Sequence, residues 1–470
     1  MTKYDAVVVG SGPNGLAAGI TLAESGRSVL LLEGNERIGG GTRTAELTLP
    51  GFHHDVCSAV HPLGLGSPFF RRLDLAPYGL KWVQPDLPLA HPFDDGTAAA
   101  LHRSIEETAE TLGKDGRAYR RLIGPLTRDW EKIIYEFLGP LRFPRHPLAM
   151  ARFGLPALFP AAGLAKLLFR GEKARGFYAG LAAHSILPME RLPSASFGLM
   201  LAMLGHGVGW PAPRGGSQAI SKALAAHFRA LGGEIMTGHP VTSLQSLPSA
   251  DLVFLAVTPK QFVAMAGDEL PAGYRRRLGK YRYGPGVFKL DWALSDPIPW
   301  RSAECRRAGT VHLGATLAEI SASERAAWRG DYGDRPYVIV VQPSLFDDCR
   351  APEGQHTAWA YCHVPNGSTV DRTAAVEAQI ERFAPGFRDT ILGRHTFTAH
   401  ELQHYNPNYI GGDINGGVQD LAQLFTRPLP QLNPYSTPLK GVYLCSSSTP
   451  PGGGVHGMCG YFAAKSALKD

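Results

Sequence analysis

The sequence predicts an α/β fold, α+β overall: a parallel-sheet domain interrupted by a second domain with an antiparallel sheet and a helical lid. Residues 4–44 read as strand, glycine turn, helix, strand and second glycine turn. Residues 441–468 again read as strand, glycine-rich loop and helix, so both segments are expected in one domain. Residues 273–425 alternate apolar and polar positions and are rich in aromatic residues, which is typical of antiparallel strands.

The first βαβ unit starts with residues 4–9, an apolar and largely β-branched run that indicates a buried parallel strand. Residues 10–15 follow as Gly-Ser-Gly-Pro-Asn-Gly, and the apolar residues 16–23 continue at helical spacing. A second apolar strand over 27–32 ends at Glu33. The order of these segments predicts a phosphate-binding turn between a strand and a helix.

Each residue type in this turn has a physical reason. Gly10 permits a tight turn, and Gly12 lets the backbone approach a pyrophosphate. Gly15 allows the helix to pack closely on the strand, and the helix N-terminus offers free N–H groups to phosphate. Pro13 and Asn14, which begin the helix, are further candidate cofactor contacts. Glu33 is placed to accept hydrogen bonds from a ribose diol. We therefore predict a dinucleotide site; the alternative is a structural glycine turn in another α/β protein.

The second glycine turn indicates which dinucleotide binds. Residues 37–44 read Arg-Ile-Gly-Gly-Gly-Thr-Arg-Thr. This resembles the Arg-x-Gly-Gly-x-x-x-Thr signature of FAD enzymes in the amine oxidase and phytoene desaturase superfamily. The resemblance implies that Gly40, Gly41 and Thr42 contact FAD, which we expect to bind without a covalent link because the cysteine-containing attachment motif of monoamine oxidases is absent. The cysteines Cys445 and Cys459, which flank the C-terminal glycine loop, leave that expectation open.

Composition excludes several classes of protein. The chain has 470 residues, 44% hydrophobic and 19% charged, which favours two joined globular domains over a disordered chain. The net charge of +6 is compatible with an anionic membrane surface and too diffuse to indicate nucleic acid. The six cysteines form no CxxC pair, so a dithiol centre or zinc ribbon is not expected. Residues 1–3 lead directly into the first strand and no long uncharged apolar run follows, so we expect a cytoplasmic protein or one attached to a membrane face.

Three histidines, His53, His54 and His61, lie within nine positions. They suggest either a metal or acid–base site, or polar residues of a pocket wall. No acidic or cysteine partner has ligand spacing, so the second interpretation is favoured and no metal is predicted.

The segment from 137 to 210 is apolar, rich in proline and basic. Its cations up to residue 175 are Arg142, Arg145, Arg152, Lys166, Arg170, Lys173 and Arg175, against the single acid Glu172. Short basic amphipathic helices of this kind bind membrane interfaces. We expect contact with a membrane surface through residues 141–175; the alternative is a substrate lid whose basic residues face water.

Residues 213–259 return the chain to the first domain with a helix, strand segments at 234–237 and 240–244, and a buried strand at 251–257. This order resembles the phytoene desaturase-related branch of the FAD-dependent oxidoreductases. The resemblance implies a glutathione-reductase-type FAD domain, in which Val241 contacts the adenine through its backbone. The expected domains are 1–80, 205–272 and 426–470 for FAD, and 81–204 with 273–425 for substrate.

The last motif is a strand at 441–445, a loop at 446–454 and a helix from Val455 to 468. Gly454 and Val455 are candidate FAD contacts, because the helix N-terminus would point at the flavin and stabilise its reduced form. His456, the second residue of the predicted helix, is the candidate catalytic residue, as a proton shuttle. The alternative is a purely structural role at the start of the helix.

The family resemblance implies hydride transfer between FAD and carbon of a hydrophobic substrate, such as an isoprenoid. A flavin amine oxidase is the first alternative, with Tyr405, Tyr409 and Trp210 as candidates for an aromatic cage. A non-catalytic lipid-escort protein on the same fold is the second. Only one dinucleotide turn is recognisable, which favours oxygen, a quinone or another diffusible electron acceptor over NADPH. The oligomeric state stays open.

Overall fold

The computed structural model describes residues 3–469, so Met1, Thr2 and Asp470, with the expectation about the leader, lie outside the described residues. Its first sheet, the Rossmann sheet, has five parallel strands. In spatial order these are Val442–Leu444, Ala250–Leu255, Tyr4–Val9, Val29–Leu32 and Glu234–Met236. All five lie in the three segments assigned above to the FAD domain, which brings the two glycine-rich ends of the chain to the same sheet.

Both faces of the Rossmann sheet are covered, which explains why its strands are apolar without alternation. Val8 packs in a core that includes the helix Pro13–Ala23, whose neighbours are the helices Gln218–Ala230 and Met458–Ala467. Val7 and Val9 point to the opposite face and pack in a second core with residues of the helix Pro259–Ala266.

The second sheet, here called the chamber sheet, has seven strands and is antiparallel except for one parallel pair. In spatial order these are Ile391–Phe397, Gly286–Leu294, His356–Val364, Val338–Val341, Ala308–Leu313, Leu87–Pro92 and Ala98–Leu101. Phe288, Leu290 and Trp292 face a core behind the sheet. On the opposite face, Thr310, Ile339, Val341, Trp359 and Tyr361 line a cavity, and the alternation within each strand is the period of two that a strand requires.

A group of helices, here called the lid, packs beside the chamber sheet, and Leu201 in its last helix lines the cavity. The lid contains Ile105–Thr111, Gly116–Arg128, Trp130–Phe137, Pro147–Ala157, Ala161–Leu168, Glu172–Ala182 and Ala195–Gly207. The remaining α-helices are Pro62–Gly66, Pro68–Arg71, Ala272–Leu278, Ala303–Arg307, Leu317–Arg329, Thr373–Phe383, Ala399–Tyr405 and Leu421–Leu424. Two two-stranded sheets, Thr44–Glu46 with His53–Asp55 and Trp82–Val83 with Ala212–Pro213, complete the fold.

Two predicted elements differ from the structure. Residues 240–244 form no strand, because the chain there leaves the sheet edge after Met236 and runs as a loop to a 3-10 turn at Leu244–Ser246. The C-terminal helix begins at Met458 and not at Val455, because Gly457 takes a left-handed conformation with φ of 69° that a helix does not allow.

Within residues 3–469 we find no single helix with the length and apolar composition needed to cross a membrane. The helices Pro147–Ala157 and Ala161–Leu168 meet that criterion only when taken together, and they are bent by 98° at their junction.

Candidate dinucleotide and substrate site

One cavity of about 670 Å³ extends from the carboxyl edge of the Rossmann sheet to the chamber sheet. A cavity outside the carboxyl ends of parallel strands is the usual ligand site of such folds. Eleven of the twelve predicted cofactor residues line it: Val241 and, in addition, Gly10, Gly12, Pro13, Asn14, Gly15, Glu33, Gly40, Gly41, Gly454 and Val455. Thr42 and His456 do not belong to its wall.

The turn after the first strand is closed by backbone contacts that no side chain would permit. A Cβ atom on Gly15 would lie 1.9 Å from the carbonyl oxygen of Gly10, whose φ of 100° is itself in the left-handed region. Gly12 is the N-cap of the helix Pro13–Ala23 and forms no side-chain cap, so the first N–H groups of the helix are left for a ligand. Asn14 Oδ1, buried in this wall, has no hydrogen-bond partner.

The Glu33 carboxylate lies beside this turn in the cavity wall. It accepts hydrogen bonds from the backbone N–H groups of Ser11 and Asn35, each at 2.9 Å, and from the Ser11 hydroxyl. Arg43 Nη2 lies 3.4 Å from Glu33 Oε1, and Arg43 Nε is buried without a partner. Arg43 lines the cavity beside the acid, a contact that the sequence analysis missed although Arg43 stands inside the motif it used.

The second glycine turn lies against the first. A Cβ atom on Gly40 would lie 3.2 Å from Gly12 Cα, and one on Gly41 would lie 2.4 Å from Tyr409 Oη. Thr42 is fully buried and its hydroxyl donates to the carbonyl of Gly39 at 2.8 Å. Thr42 therefore holds the turn together and does not line the cavity, and its contact with FAD stays a prediction.

The C-terminal glycine loop brings Ser446, Ser447, Gly454 and Val455 to the cavity. His456 is fully buried, and its Nδ1 accepts from the N–H of Met458 at 3.0 Å while Nε2 faces the carbonyl of Gly452 at 3.2 Å. Burial lowers the pKa of His456 to about 4. The ring therefore caps the helix start as a neutral group, an arrangement that favours the structural alternative over a proton shuttle.

The three neighbouring histidines, His53, His54 and His61, lie in different surroundings. His61 lines the cavity and its Nε2 lies 2.8 Å from the hydroxyl of Ser217. His54 Nε2 lies 2.8 Å from Thr48 Oγ1, and His54 Nδ1 lies 3.6 Å from Asp291. His53 is partly exposed on the short sheet. The pocket-wall interpretation therefore describes His61 alone, and the three rings share no ligand position.

The half of the cavity at the chamber sheet, here called the chamber, is apolar and aromatic. Its wall includes Leu201, Trp210, Ile339, Val341, Trp359 and Tyr361. Trp359 and Tyr361 stand edge to face, with ring centroids 5.2 Å apart. The sequence analysis did not name these two residues, although their alternation within the strand 356–364 places them on one face.

Of the three proposed cage residues, Tyr409 and Trp210 line the cavity. Trp210 Nε1 donates to the hydroxyl of Thr310 at 2.9 Å, which fixes its ring. Tyr405 lies outside the wall under the Arg43 guanidinium, 5.2 Å from the ring centroid. The three residues therefore do not form one cage.

A buried ion pair lies behind the chamber wall. Lys289 Nζ contacts the carboxylate of Asp291 on the same strand, and Lys289 also lies 5.8 Å from the centroid of the Trp359 ring. Burial lowers the pKa of Lys289 and raises that of Asp291 to about 6. This pairing could be predicted from the sequence, because Lys289 and Asp291 stand at alternate positions of an apolar strand and therefore share one face.

Among the cysteines, Cys57 lines the cavity. Cys445 and Cys459 are buried and lie outside its wall, although they flank the glycine loop.

The sequence and the fold of this chain are similar to those of known proteins. Residues 8–73 match the model of the NAD(P)-binding Rossmann-like domain. The chain is 28% identical to pyridine nucleotide-disulfide oxidoreductase domain-containing protein 2 of Rattus norvegicus, over 100% of this chain and 94% of that protein. It is 27% identical to a phytoene dehydrogenase of Streptomyces griseus, over 82% and 77% of the two chains.

A solved structure with a similar fold is cyclohexylamine oxidase of Brevibacterium oxydans. The TM-score is 0.62 at 15% identity, with 100% of this chain and 99% of that chain covered. These comparisons confirm the predicted fold class, a mixed helix and sheet protein built around a Rossmann domain.

Proposed function

We propose that this chain is a FAD-dependent oxidoreductase of the superfamily that contains the phytoene desaturases and the amine oxidases, and that it acts on a hydrophobic substrate. The observation that carries the proposal is the single cavity shared by a phosphate cradle and an apolar chamber. A dinucleotide in the cradle would present its reactive end to a substrate in the chamber.

The cradle suits FAD because its two glycine turns are in backbone contact. Gly12 and Gly40 meet without side chains, so a diphosphate and the chain beyond it can follow the seam between the turns. Glu33 would hold the ribose, Val241 the adenine end, and Gly454 with Val455 the ring end. Bound FAD supplies hydride transfer at flavin N5 to or from carbon.

The chamber residues exclude water and orient the substrate. Ile339 and Val341 face the cavity from one strand, and Trp359 and Tyr361 face it from the next. Walls of this kind align an apolar molecule by shape and keep water from the reacting carbon. An isoprenoid chain or ring fits such walls, and the similarity to a phytoene dehydrogenase supports that choice.

A visible spectrum of the purified protein, followed without oxygen while substrates are added, tests the proposal. We expect flavin absorption that bleaches with isoprenoids such as phytoene or limonene and does not bleach with amines. A flavin that responds to no isoprenoid would reject the substrate class. A protein without flavin, even after FAD is added, would reject the enzyme and favour the lipid-escort alternative.

An amine oxidase is the second candidate, and one observation favours it. Trp359 and Tyr361 place two aromatic rings edge to face in the chamber wall, and aromatic faces stabilise amines. The fold similarity to cyclohexylamine oxidase agrees with this candidate. Bleaching by cyclohexylamine or putrescine in the same experiment would establish it.

We also propose that a diffusible acceptor, oxygen or a quinone, reoxidises the flavin, because one cradle serves one dinucleotide. Reoxidation rates measured with oxygen, a quinone and NADP⁺ would test this. Rapid reoxidation by NADP⁺ alone would overturn the proposal.

Residues 141–175 form a surface that we propose to contact an anionic membrane from the cytoplasmic side. Large apolar side chains stand exposed there: Leu141, Phe143, Leu148, Leu155, Leu158, Phe159 and Leu167. The stretch 137–171 contains five Arg and Lys residues and no Asp or Glu. Apolar side chains surrounded by cations match a lipid surface with anionic headgroups.

A further inference from the structure

The apolar chamber contains one polar feature that hydride transfer to a hydrocarbon does not require. His184 follows the helix Glu172–Ala182 and lines the cavity. Its Nε2 lies 3.0 Å from Nε2 of His312, a fully buried residue of the chamber sheet. Because one hydrogen joins these two nitrogens, Nδ1 of His184 is left to a ligand as either donor or acceptor.

A third histidine lies behind this pair. His91 is fully buried and its Nε2 lies 2.8 Å from the carbonyl of Ala315. The position of a Cβ atom on Gly180 would be 3.0 Å from Nδ1 of both His91 and His312. Both of these Nδ1 atoms are buried without a partner. Two fully buried imidazoles with unsatisfied nitrogens, next to the cavity-lining His184, are a costly way to fill a core that apolar side chains would fill better.

Backbone strain is concentrated at the same place. Among the described residues, 3–469, the non-glycine residues with positive φ are Ile186 at 52° and Ala315 at 43°. Ile186 is β-branched, lies two positions after His184 and also lines the cavity. Ala315 holds His91 through its carbonyl. Unsatisfied polar groups and strain that coincide at a cavity wall are typical of a functional site.

We propose that His184, held by His312, recognises an uncharged oxygen, a hydroxyl or a carbonyl, on an otherwise apolar substrate. This rests on the proposed function only in taking the chamber as the substrate site. The neutral state of the ring agrees with an uncharged partner, because burial lowers the pKa of His184 to about 3. His184 is thus a specificity-determining residue, and the preferred substrate is an oxygenated apolar molecule.

The test compares two probes of one carbon skeleton, menthol and p-menthane, in titrations that follow tryptophan fluorescence of the full chain. Trp210 and Trp359 in the chamber wall report binding whether or not flavin is present. We expect His184→Phe to lower the ratio of menthol affinity to p-menthane affinity about tenfold, the loss of one good hydrogen bond. His184→Gln, which keeps a donor and an acceptor, should retain most of the ratio.

The matched control is His404→Phe, which changes an exposed histidine outside the cavity wall and should leave the ratio at the wild-type value. If His184→Phe does not fold, the ratio in His184→Ala serves in its place. A ratio equal to wild type in a folded variant without His184 would overturn the proposal. Binding of both probes by a protein that holds no flavin would reject the oxidoreductase and leave this site in place.

Discussion

Gly12 and Gly40 touch through their backbones: a Cβ atom on Gly40 would lie 3.2 Å from Gly12 Cα. The two glycine turns, 28 positions apart in the sequence, therefore form one surface. This contact lets the chain surround a diphosphate from two sides, and it ties cofactor binding to two residues without side chains.

Replacing either glycine should remove flavin without unfolding the protein. Gly12→Val places a branched side chain in the phosphate path, and Gly40→Ala adds a Cβ at a φ of 53° against the first turn. We expect both purified variants to lose most of their flavin absorbance while keeping the far-ultraviolet circular dichroism. Gly124→Ala, at a helical position with open space around it, is the control and should keep flavin. Full flavin content in Gly12→Val would contradict the assignment.

Membrane contact should depend on the most exposed apolar side chains of residues 141–175. Phe143 is 88% and Leu148 76% exposed. Phe143→Ser with Leu148→Ser should weaken co-sedimentation with phosphatidylglycerol vesicles at least tenfold, because burying each side chain contributes about 1.5–3 kcal/mol. Leu432→Ser, at an equally exposed leucine elsewhere, should have no effect. Binding that does not change when phosphatidylcholine replaces the anionic lipid would overturn the proposal.

His456→Ala should lower stability and leave the pH profile of flavin reduction unchanged. The substitution leaves the Met458 N–H unpaired, at a cost of about 1–3 kcal/mol, whereas the Gly452 carbonyl keeps the Cys459 thiol as a donor. With a pKa of about 4 the ring is neutral throughout pH 5–8, so its removal takes away no ionisation in that range. Urea unfolding and anaerobic stopped-flow reduction measure the two effects. Loss of an ionisation between pH 5 and 8 would restore the shuttle hypothesis.

Removing one partner of the Lys289–Asp291 pair should destabilise the protein more than replacing both partners. Asp291→Ala leaves a buried ammonium group without its partner and should lower the free energy of unfolding by about 3–5 kcal/mol. The double variant Lys289→Met with Asp291→Leu buries no charge and should recover most of that loss. Urea unfolding of the wild type and the two variants gives the comparison. A loss below about 1 kcal/mol in Asp291→Ala would show that the pair is not buried as described.

The parts of the site that local chemistry dictates were predictable from sequence. Gly10, Gly12 and Gly15 obey a spacing that only a turn between strand and helix explains, and Glu33 follows at the end of the next strand. Their positions depend on neighbours within about 20 residues, so the pattern alone carries the information.

The residues that the sequence analysis missed are brought together by long-range pairing. Tyr361 faces the cavity because its strand pairs with Ile339 on one side and Lys289 on the other. His184 and His312 are 128 positions apart. The sequence indicates which face each residue takes, but register and strand order decide what shares that face. The C-terminal helix was predicted to begin at Val455 but begins at Met458, because Gly457 takes a left-handed conformation.

The pairing of Val442–Leu444 with Ala250–Leu255 has a consequence for how the protein folds during synthesis. The Rossmann sheet receives its outermost strand more than 400 residues after its first one. A ribosome adds about 5–20 residues per second, so roughly 20 to 90 s pass between synthesis of the first strand and synthesis of the last strand of this sheet. Until then one edge of the strand Ala250–Leu255 has no partner. We therefore expect chaperones to bind the nascent chain and the cofactor to bind after synthesis is complete.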